Sequence, residues 1–329
     1  MKKLLIILLL ITNTMLYAIP TVMSMGTITV GSKPWDGAFN SITNLLYISN
    51  RGAGTVSVID CNTNTVIKTI TVGTGPTVPA VNTTTNKIYV PNYGSNTVSV
   101  IDGSTNTVTA TISVGSGPAG AAVNPNTNML YVTNYNGASV SVINTSTNTV
   151  VTTIIVGTDP AGIDIYYTSN LIYVGNNNSS PTVSVIDGSI NTVTNTISIT
   201  SSYPENIKVN QTTNTIYAIN SGSGFSGHVI AVLSGTTFAQ TSYITATATG
   251  LTGAAIDESN NILYVTGYGS NTMDVMNLTT STVVQSISTG SEPTGVIYNK
   301  NNGMLYVTNY NSGTVSMYIP FVAKSHGCY

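Results

Sequence analysis

The sequence predicts an all-β protein: a seven-bladed β-propeller of four-stranded antiparallel blades, closed by an N-terminal strand that completes the last blade. Three observations carry this prediction. The pattern Tyr-[Val/Ile/Ala]-x-[Asn/Gly] returns seven times, with its tyrosines at Tyr47, Tyr89, Tyr131, Tyr173, Tyr217, Tyr264 and Tyr306, spaced by 42, 42, 42, 44, 47 and 42 residues. Between tyrosines the chain offers only short, β-branched, alternating segments and no helical period. The last repeat stops one segment short, and the front of the chain carries a spare. A unit of this size cannot cover its own faces and has to stack radially with its copies.

At the N-terminus, two lysines, the apolar run Leu4 to Ile11 and the ending Leu16-Tyr17-Ala18 read as a secretory signal peptide over residues 1–18. Thr12, Asn13 and Thr14 interrupt the apolar run, and no later segment reaches the ~18 apolar residues of a membrane span. The expectation is a chain with no stable membrane span after cleavage, secreted and associated with the cell surface. Loss of Lys2 and Lys3 leaves seven basic residues against eleven acidic ones, a balance that does not attract nucleic acid. Charged residues make up only 6% of the chain, so solubility rests on neutral hydrogen-bonding groups and little folding free energy is tied to pH.

The propeller is expected over residues 19–319. One unit, starting at Pro118, reads as strands Ala121 to Asn124, Met129 to Thr133, Ser139 to Ile143 and Val150 to Val156, each ended by a turn cluster such as Asn124-Pro125-Asn126. Gly31, Gly73, Gly115, Gly157 and Gly290 recur where one unit hands over to the next, a place where glycine's freedom of backbone angle suits a sharp turn. The final unit ends with a third strand, Thr314 to Ile319, and lacks a fourth. Thr27-Ile28-Thr29-Val30-Gly31 repeats the fourth-strand sequence Thr69-Ile70-Thr71-Val72-Gly73, so pairing it with Thr314 to Ile319 closes the ring. Residues 320–329 form a tail. Cys61 in the first unit and Cys328 in the tail form an even pair in a secreted chain, a candidate disulfide, and ten extended residues span about 30 Å, enough to bring them together.

Tyr131-Val132-Thr133-Asn134 and Tyr306-Val307-Thr308-Asn309, followed by Thr-Val-Ser and preceded by Val-Gly-Ser-Gly-Pro-Ala-Gly, carry a family resemblance. Residues 26–319 resemble the YVTN-family β-propellers of surface-layer and surface-antigen proteins. The resemblance implies a surface or extracellular role, often as one domain of a larger envelope protein, whereas this sequence reads as a bare propeller without an added anchoring domain.

Positions where one repeat differs from the others are the candidates for function. The residue at the handover between units reads Lys33, Gly75, Gly117, Asp159, Tyr203, Gly250 and Glu292, and Trp35, Asp36, Glu205 and Asn206 stand just beyond it. The residue after the repeat motif is Tyr93, Tyr135, Tyr268 or Tyr310 in four units. Together these suit a ligand-binding loop face of flat rings among amides and carboxylates, for a cell-envelope protein or glycan; the tyrosines equally suit packing over the loop beneath them. Inside the channel one aligned position runs Ala38, Ala80, Ala122, Asp164, Lys208, Ala255 and Ile297, which predicts an Asp164–Lys208 ion pair.

No cofactor is expected. Only His228 and His326 are present, too few for multi-histidine metal sites, and no haem-attachment motif occurs. Gly224-Phe225-Ser226-Gly227-His228 lacks the spacing of a hydrolase elbow and reads as an insertion in the fifth unit. Asn82, Asn144, Asn177, Asn178, Asn210 and Asn277 open Asn-x-Ser/Thr glycosylation sequons. The functional expectation is a non-enzymatic binding or structural module. The alternatives are a lactonase- or lyase-type propeller enzyme using a channel-mouth carboxylate or metal, and a surface-lattice subunit.

Overall fold

The computed structural model describes residues 21–178, 180–200, 203–221 and 228–321. The expected signal peptide, the core of the fifth-unit insertion and most of the tail, including Cys328 and His326, lie outside the described residues. Seven four-stranded antiparallel sheets form a ring. Six take their strands in sequence order from inside to outside; the seventh combines Pro293–Tyr298, Leu305–Asn309 and Thr314–Phe321 with the N-terminal strand Thr21–Thr29. In the third blade the strands run Pro118–Asn124, Met129–Asn134, Ser139–Asn144 and Thr149–Ile155, within a few residues of expectation. Among the described residues no helix is long and apolar enough to cross a membrane.

The closing strand is longer than the repeat suggests. Thr27, Ile28 and Thr29 pair with Ser316, Val315 and Thr314, and after a bulge at Gly26 the pairing continues from Ser24 opposite Tyr318 back to Thr21 opposite Phe321. The bulge takes up one extra residue and reverses the alternation, so Val22 is buried in the seam with blade six and Ile28 in the seam with blade one. Val22 also joins the next blade through its backbone, donating to Gln285 Oε1 at 2.8 Å.

The repeat motif explains how blades hold together. The motif tyrosines sit between adjacent blades, six of them all but fully buried, and several anchor their hydroxyls on the neighbouring blade: Tyr47 donates to Asn106 Oδ1 at 2.8 Å and Tyr306 to Asn64 Oδ1 at 2.7 Å. Where the third motif residue is threonine it also crosses the seam. Thr133 accepts from Gly120 N–H at 2.8 Å and donates to the Ala161 carbonyl at 2.9 Å, and Thr308 donates to the Trp35 carbonyl at 3.0 Å. The Tyr306 and Thr308 bonds join blade seven to blade one.

The motif asparagine works within its blade. Asn134 Nδ2 donates to Ser139 and Ser141 hydroxyls at 3.0 Å each, and Asn50, Asn92, Asn176 and Asn309 repeat this clamp on the following strand. This overturns the reading of the handover glycines. Gly31, Gly73, Gly115, Gly157 and Gly290 are not in the left-handed region. They are glycines because the asparagine amide lies on them: a Cβ at Gly115 would stand 2.5 Å from Asn134 Cγ, and one at Gly157 2.5 Å from Asn176 Cγ. Blade six supports this account. Its motif ends in Gly267 instead of asparagine, and the handover position holds Ala248. There Asp274 takes the serine's place, accepting Thr247 N–H at 2.7 Å and Ala248 N–H at 2.8 Å.

Cys61 is buried in the seam between blades seven and one, among Ile28, Leu46, Ile297 and Tyr306, and burial pushes its thiol up to about 11. Its candidate partner, Cys328, is beyond the described residues, so the pairing stays an expectation of the sequence.

Gly115→Ala is expected to lower stability by about 1–3 kcal/mol through overpacking against Asn134. Adding Asn134→Gly, which makes blade three resemble blade six, should recover part of that loss in urea unfolding; additive losses would refute the packing explanation. Removing residues 21–29 should lower the melting temperature of the whole ring, since it reopens a sheet edge and uncovers the core at Val22 and Ile28; an unchanged melt would show that the closing strand is dispensable.

Candidate functional site

A cavity of about 940 Å³ runs through the ring. Its middle is lined by the seven residues aligned in the sequence, Ala38, Ala80, Ala122, Asp164, Lys208, Ala255 and Ile297. The strand register accounts for this: each stands opposite a motif tyrosine, Ala122 opposite Tyr131 and Lys208 opposite Tyr217. Since side chains opposite each other in an antiparallel pair share a face, the register sets which residue each blade presents here.

The expected ion pair takes a different form. Asp164 accepts the N–H groups of Ile165 and Val209, both at 2.9 Å, and Lys208 acts on it through its field without closing a direct contact. Backbone amides of its own and the next blade reach the carboxylate first. Burial still raises the Asp164 carboxyl above the usual range, offset in part by Lys208 and these N–H groups.

At the loop face, the handover residues share one conformation. Lys33, Gly75, Gly117, Asp159, Tyr203, Gly250 and Glu292 all adopt φ between 53° and 67°. Three are glycine, the residue this region favours. The other four hold side chains there at a cost of ~1–2 kcal/mol apiece, and backbone strain of this kind gathers at functional surfaces.

Beside these turns a chain of rings follows the rim. Tyr135 meets Tyr93 at 6.4 Å between centroids, Trp35 meets Tyr310 edge-on at 5.8 Å, and Tyr310 meets Tyr268 at 6.5 Å. Arg51 fills the gap between the two groups, its guanidinium 4.5 Å from the Trp35 ring and 5.1 Å from the Tyr93 ring. Lys33 Nζ lies 5.4 Å from the Tyr310 ring, and Tyr268 donates to Glu292 Oε2 at 2.7 Å. The arc therefore crosses five adjacent blades, from the third through the second, first and seventh to the sixth. The tyrosines also pack on the loops, as their repetition allowed: a Cβ at Gly117 would meet the Tyr93 ring at 3.2 Å.

Sequence reasoning missed Arg51. The signal was available, since Arg51 occupies in blade one the position after the motif that is tyrosine in four other blades.

Blades four and five, facing the arc, present polar groups. Asn177 Nδ2 donates to Glu205 Oε2 at 2.6 Å, and Asn206 lines the channel beside them. Burial raises the Glu205 carboxyl, with Asn177 and the Arg51 charge pulling the other way. Asp36, in blade one, accepts Gly37 N–H at 2.8 Å, and burial pushes its carboxyl up to about 6 against Lys208 and that N–H. Asp159 and Tyr203 stand on the rim near Tyr135, whose hydroxyl is raised by burial and then by Asp159 and Glu205. Among the described residues no three His, Cys, Asp or Glu side chains converge as a metal-ligand group. The opposite end of the channel holds Tyr167, Glu258 and Lys300, none of them singled out from sequence.

The sequons separate by burial. Asn82 and Asn210 are fully buried and Asn177 is committed to Glu205, so the folded ring leaves no room for a glycan on these three. Asn144 and Asn277 end their third strands half-buried, just before the turns to the outer strands, and Asn178, also half-buried, donates to Thr158.

No family model and no curated protein matches the sequence. Among solved structures, the chain is similar to Kuenenia stuttgartiensis hydrazine synthase, with a TM-score of 0.81 and 18% identity over 89% of this chain and 96% of that one. At that identity the likeness establishes the seven-bladed fold alone.

A carboxyl whose pKa is higher folded than unfolded contributes stability that is full in acid and lost as pH rises through the folded value. Asp36→Asn, which keeps an acceptor for Gly37, should therefore stabilise the ring at neutral pH by roughly 1–3 kcal/mol and leave it unchanged near pH 3. Thermal melts of both proteins across that range check this; equal melting temperatures at neutral pH would contradict it.

Proposed function

We propose that this propeller is a secreted, non-enzymatic recognition or structural module at the cell surface that docks a protein or glycan of the envelope on its loop face. The observation that carries the reading is the continuous arc Tyr135, Tyr93, Arg51, Trp35, Tyr310 and Tyr268, held on five rigid blades. Rings fixed in this way offer large contact area at little conformational cost, and aromatic and arginine side chains dominate binding energy at interfaces. The resemblance to YVTN-family surface propellers and the signal-like first 18 residues support the location.

Two other readings have specific support. Asp36, with its carboxyl at about 6, has the tuning of a general acid or base, which favours a lactonase- or lyase-type enzyme; the dispersal of the remaining carboxylates around the ring weighs against it. The outer strands favour a lattice subunit, because only that of blade one carries a charge, Lys68, and uncharged edges invite pairing with other chains.

Purified propeller is expected to bind envelope material from its own source saturably, and Trp35→Ala and Tyr135→Ala should each weaken this about tenfold or more while melting like the wild type. Binding that does not saturate, or that both variants retain in full, would overturn the proposal.

A further inference from the structure

The channel mouth holds polar side chains that the fold leaves unused. Asn206 is only 9% exposed and lines the channel, yet its amide makes no hydrogen bond among the described residues. Asp36 is 7% exposed and spends one carboxylate oxygen on Gly37, while its second takes no hydrogen bond among the described residues. Glu205 is oriented by Asn177 through one oxygen only. Arg51 lies against the Trp35 and Tyr93 rings, and its guanidinium N–H groups make no hydrogen bond among the described residues, so they remain for a ligand. Their open atoms face the channel and are not sealed in the core, so the fold presents a set of positioned donors and acceptors to a partner from outside the chain.

The set also says what kind of partner. Asp36 and Glu205 offer acceptors, Arg51 offers donors, and the Asn206 amide offers both. Each carboxylate feels an opposite charge already, Asp36 that of Lys208 and Glu205 that of Arg51. A ligand with net charge of either sign would face a like charge a short distance away. A neutral molecule dense in hydroxyl groups meets no such conflict: each hydroxyl both donates and accepts, and its C–H faces suit Trp35 and Tyr93. The cavity's 940 Å³ is at the upper end of the ~300–1,000 Å³ typical of ligand pockets, with room for more than one sugar ring.

We infer that the channel mouth binds the neutral sugar end of a glycan, with Asn206, Asp36, Glu205 and Arg51 as its polar contacts and Trp35 and Tyr93 as its flat walls. This rests on the loop-face recognition reading and narrows it to carbohydrate. The glycan's terminal residue enters the channel, while the rest of the chain runs outward over the rim.

Titration calorimetry with cellobiose, maltose and diacetylchitobiose as neutral probes, and glucuronate and glucosamine as charged ones, tests the inference. At least one neutral probe should bind saturably at millimolar concentration or tighter, and each charged probe at least tenfold more weakly. Asn206→Ala removes a side chain with no hydrogen-bond partner among the described residues, so it should fold normally and weaken the neutral probe at least tenfold; Asp36→Asn serves as a second, nearly isosteric variant. Failure of every neutral probe to bind, preference for a charged probe, or full binding by both variants would overturn the inference. Envelope binding lost in Trp35→Ala but intact in Asn206→Ala and Asp36→Asn would overturn this inference alone, whereas binding intact in Trp35→Ala and Tyr135→Ala would sink the recognition reading itself.

Discussion

The seam between neighbouring blades is the contact on which the rest of this molecule depends. A four-stranded sheet of short strands has two apolar faces and no helix to cover them, so each blade is stable only against its neighbours. The motif meets that demand with three residues. Its tyrosine fills the seam, its threonine, where present, bonds both first strands across it, and its asparagine fixes the next strand within the blade. A ring built this way has one seam that the chain cannot make by simple continuation. It is closed by the same devices, Tyr306 to Asn64 and Thr308 to Trp35, after the N-terminal strand has completed blade seven.

What the seams require also determines what they leave free. The tyrosine on the second strand fixes which residue of the first strand faces the channel, but places no demand on its identity, so alanine, isoleucine, aspartate and lysine all occur there. The handover turn demands a left-handed residue, not a particular side chain. Glycine would serve in all seven blades, and the four exceptions put Lys33, Asp159, Tyr203 and Glu292 on one face at a cost in strain. Freedom at these two sets of positions is why the distinctive chemistry gathers in the channel and around one rim.

The fold was legible because its constraints repeat. Seven copies of the motif revealed the blade, and the duplicated Thr-Ile-Thr-Val-Gly exposed the closure, although the bulge that carries the pairing back to Thr21 left no repeat to read. The handover glycines were placed correctly and explained wrongly. Their cause is an asparagine 19 residues later in the chain, for example Asn134 for Gly115, and a contact across a strand has no local signature. Repeat comparison also found most of the rim, because it notices residues that break a pattern. Arg51 escapes that comparison because tyrosine recurs at its position, and Asp164 and Lys208 read as a bonded pair because alignment shows which residues share a layer, not which donors arrive first.

The distribution of charge makes the channel more than the hole that any propeller has. The chain contains eleven acidic and nine basic residues. Five of the former, Asp36, Asp164, Glu205, Asp257 and Glu258, and three of the latter, Arg51, Lys208 and Lys300, line this one cavity. Desolvation disfavours charge in such a place, and the raised carboxyls of Asp36, Asp164 and Glu205 show that the fold bears that cost. Blades two and three fill the same layer with Ala80 and Ala122, so the architecture has no need of charge there. A chain that solubilises its surface with threonine, serine and asparagine, yet places Asp36, Asp164 and Glu205 where burial raises their carboxyls, carries charge in the channel that the stability of the ring does not require.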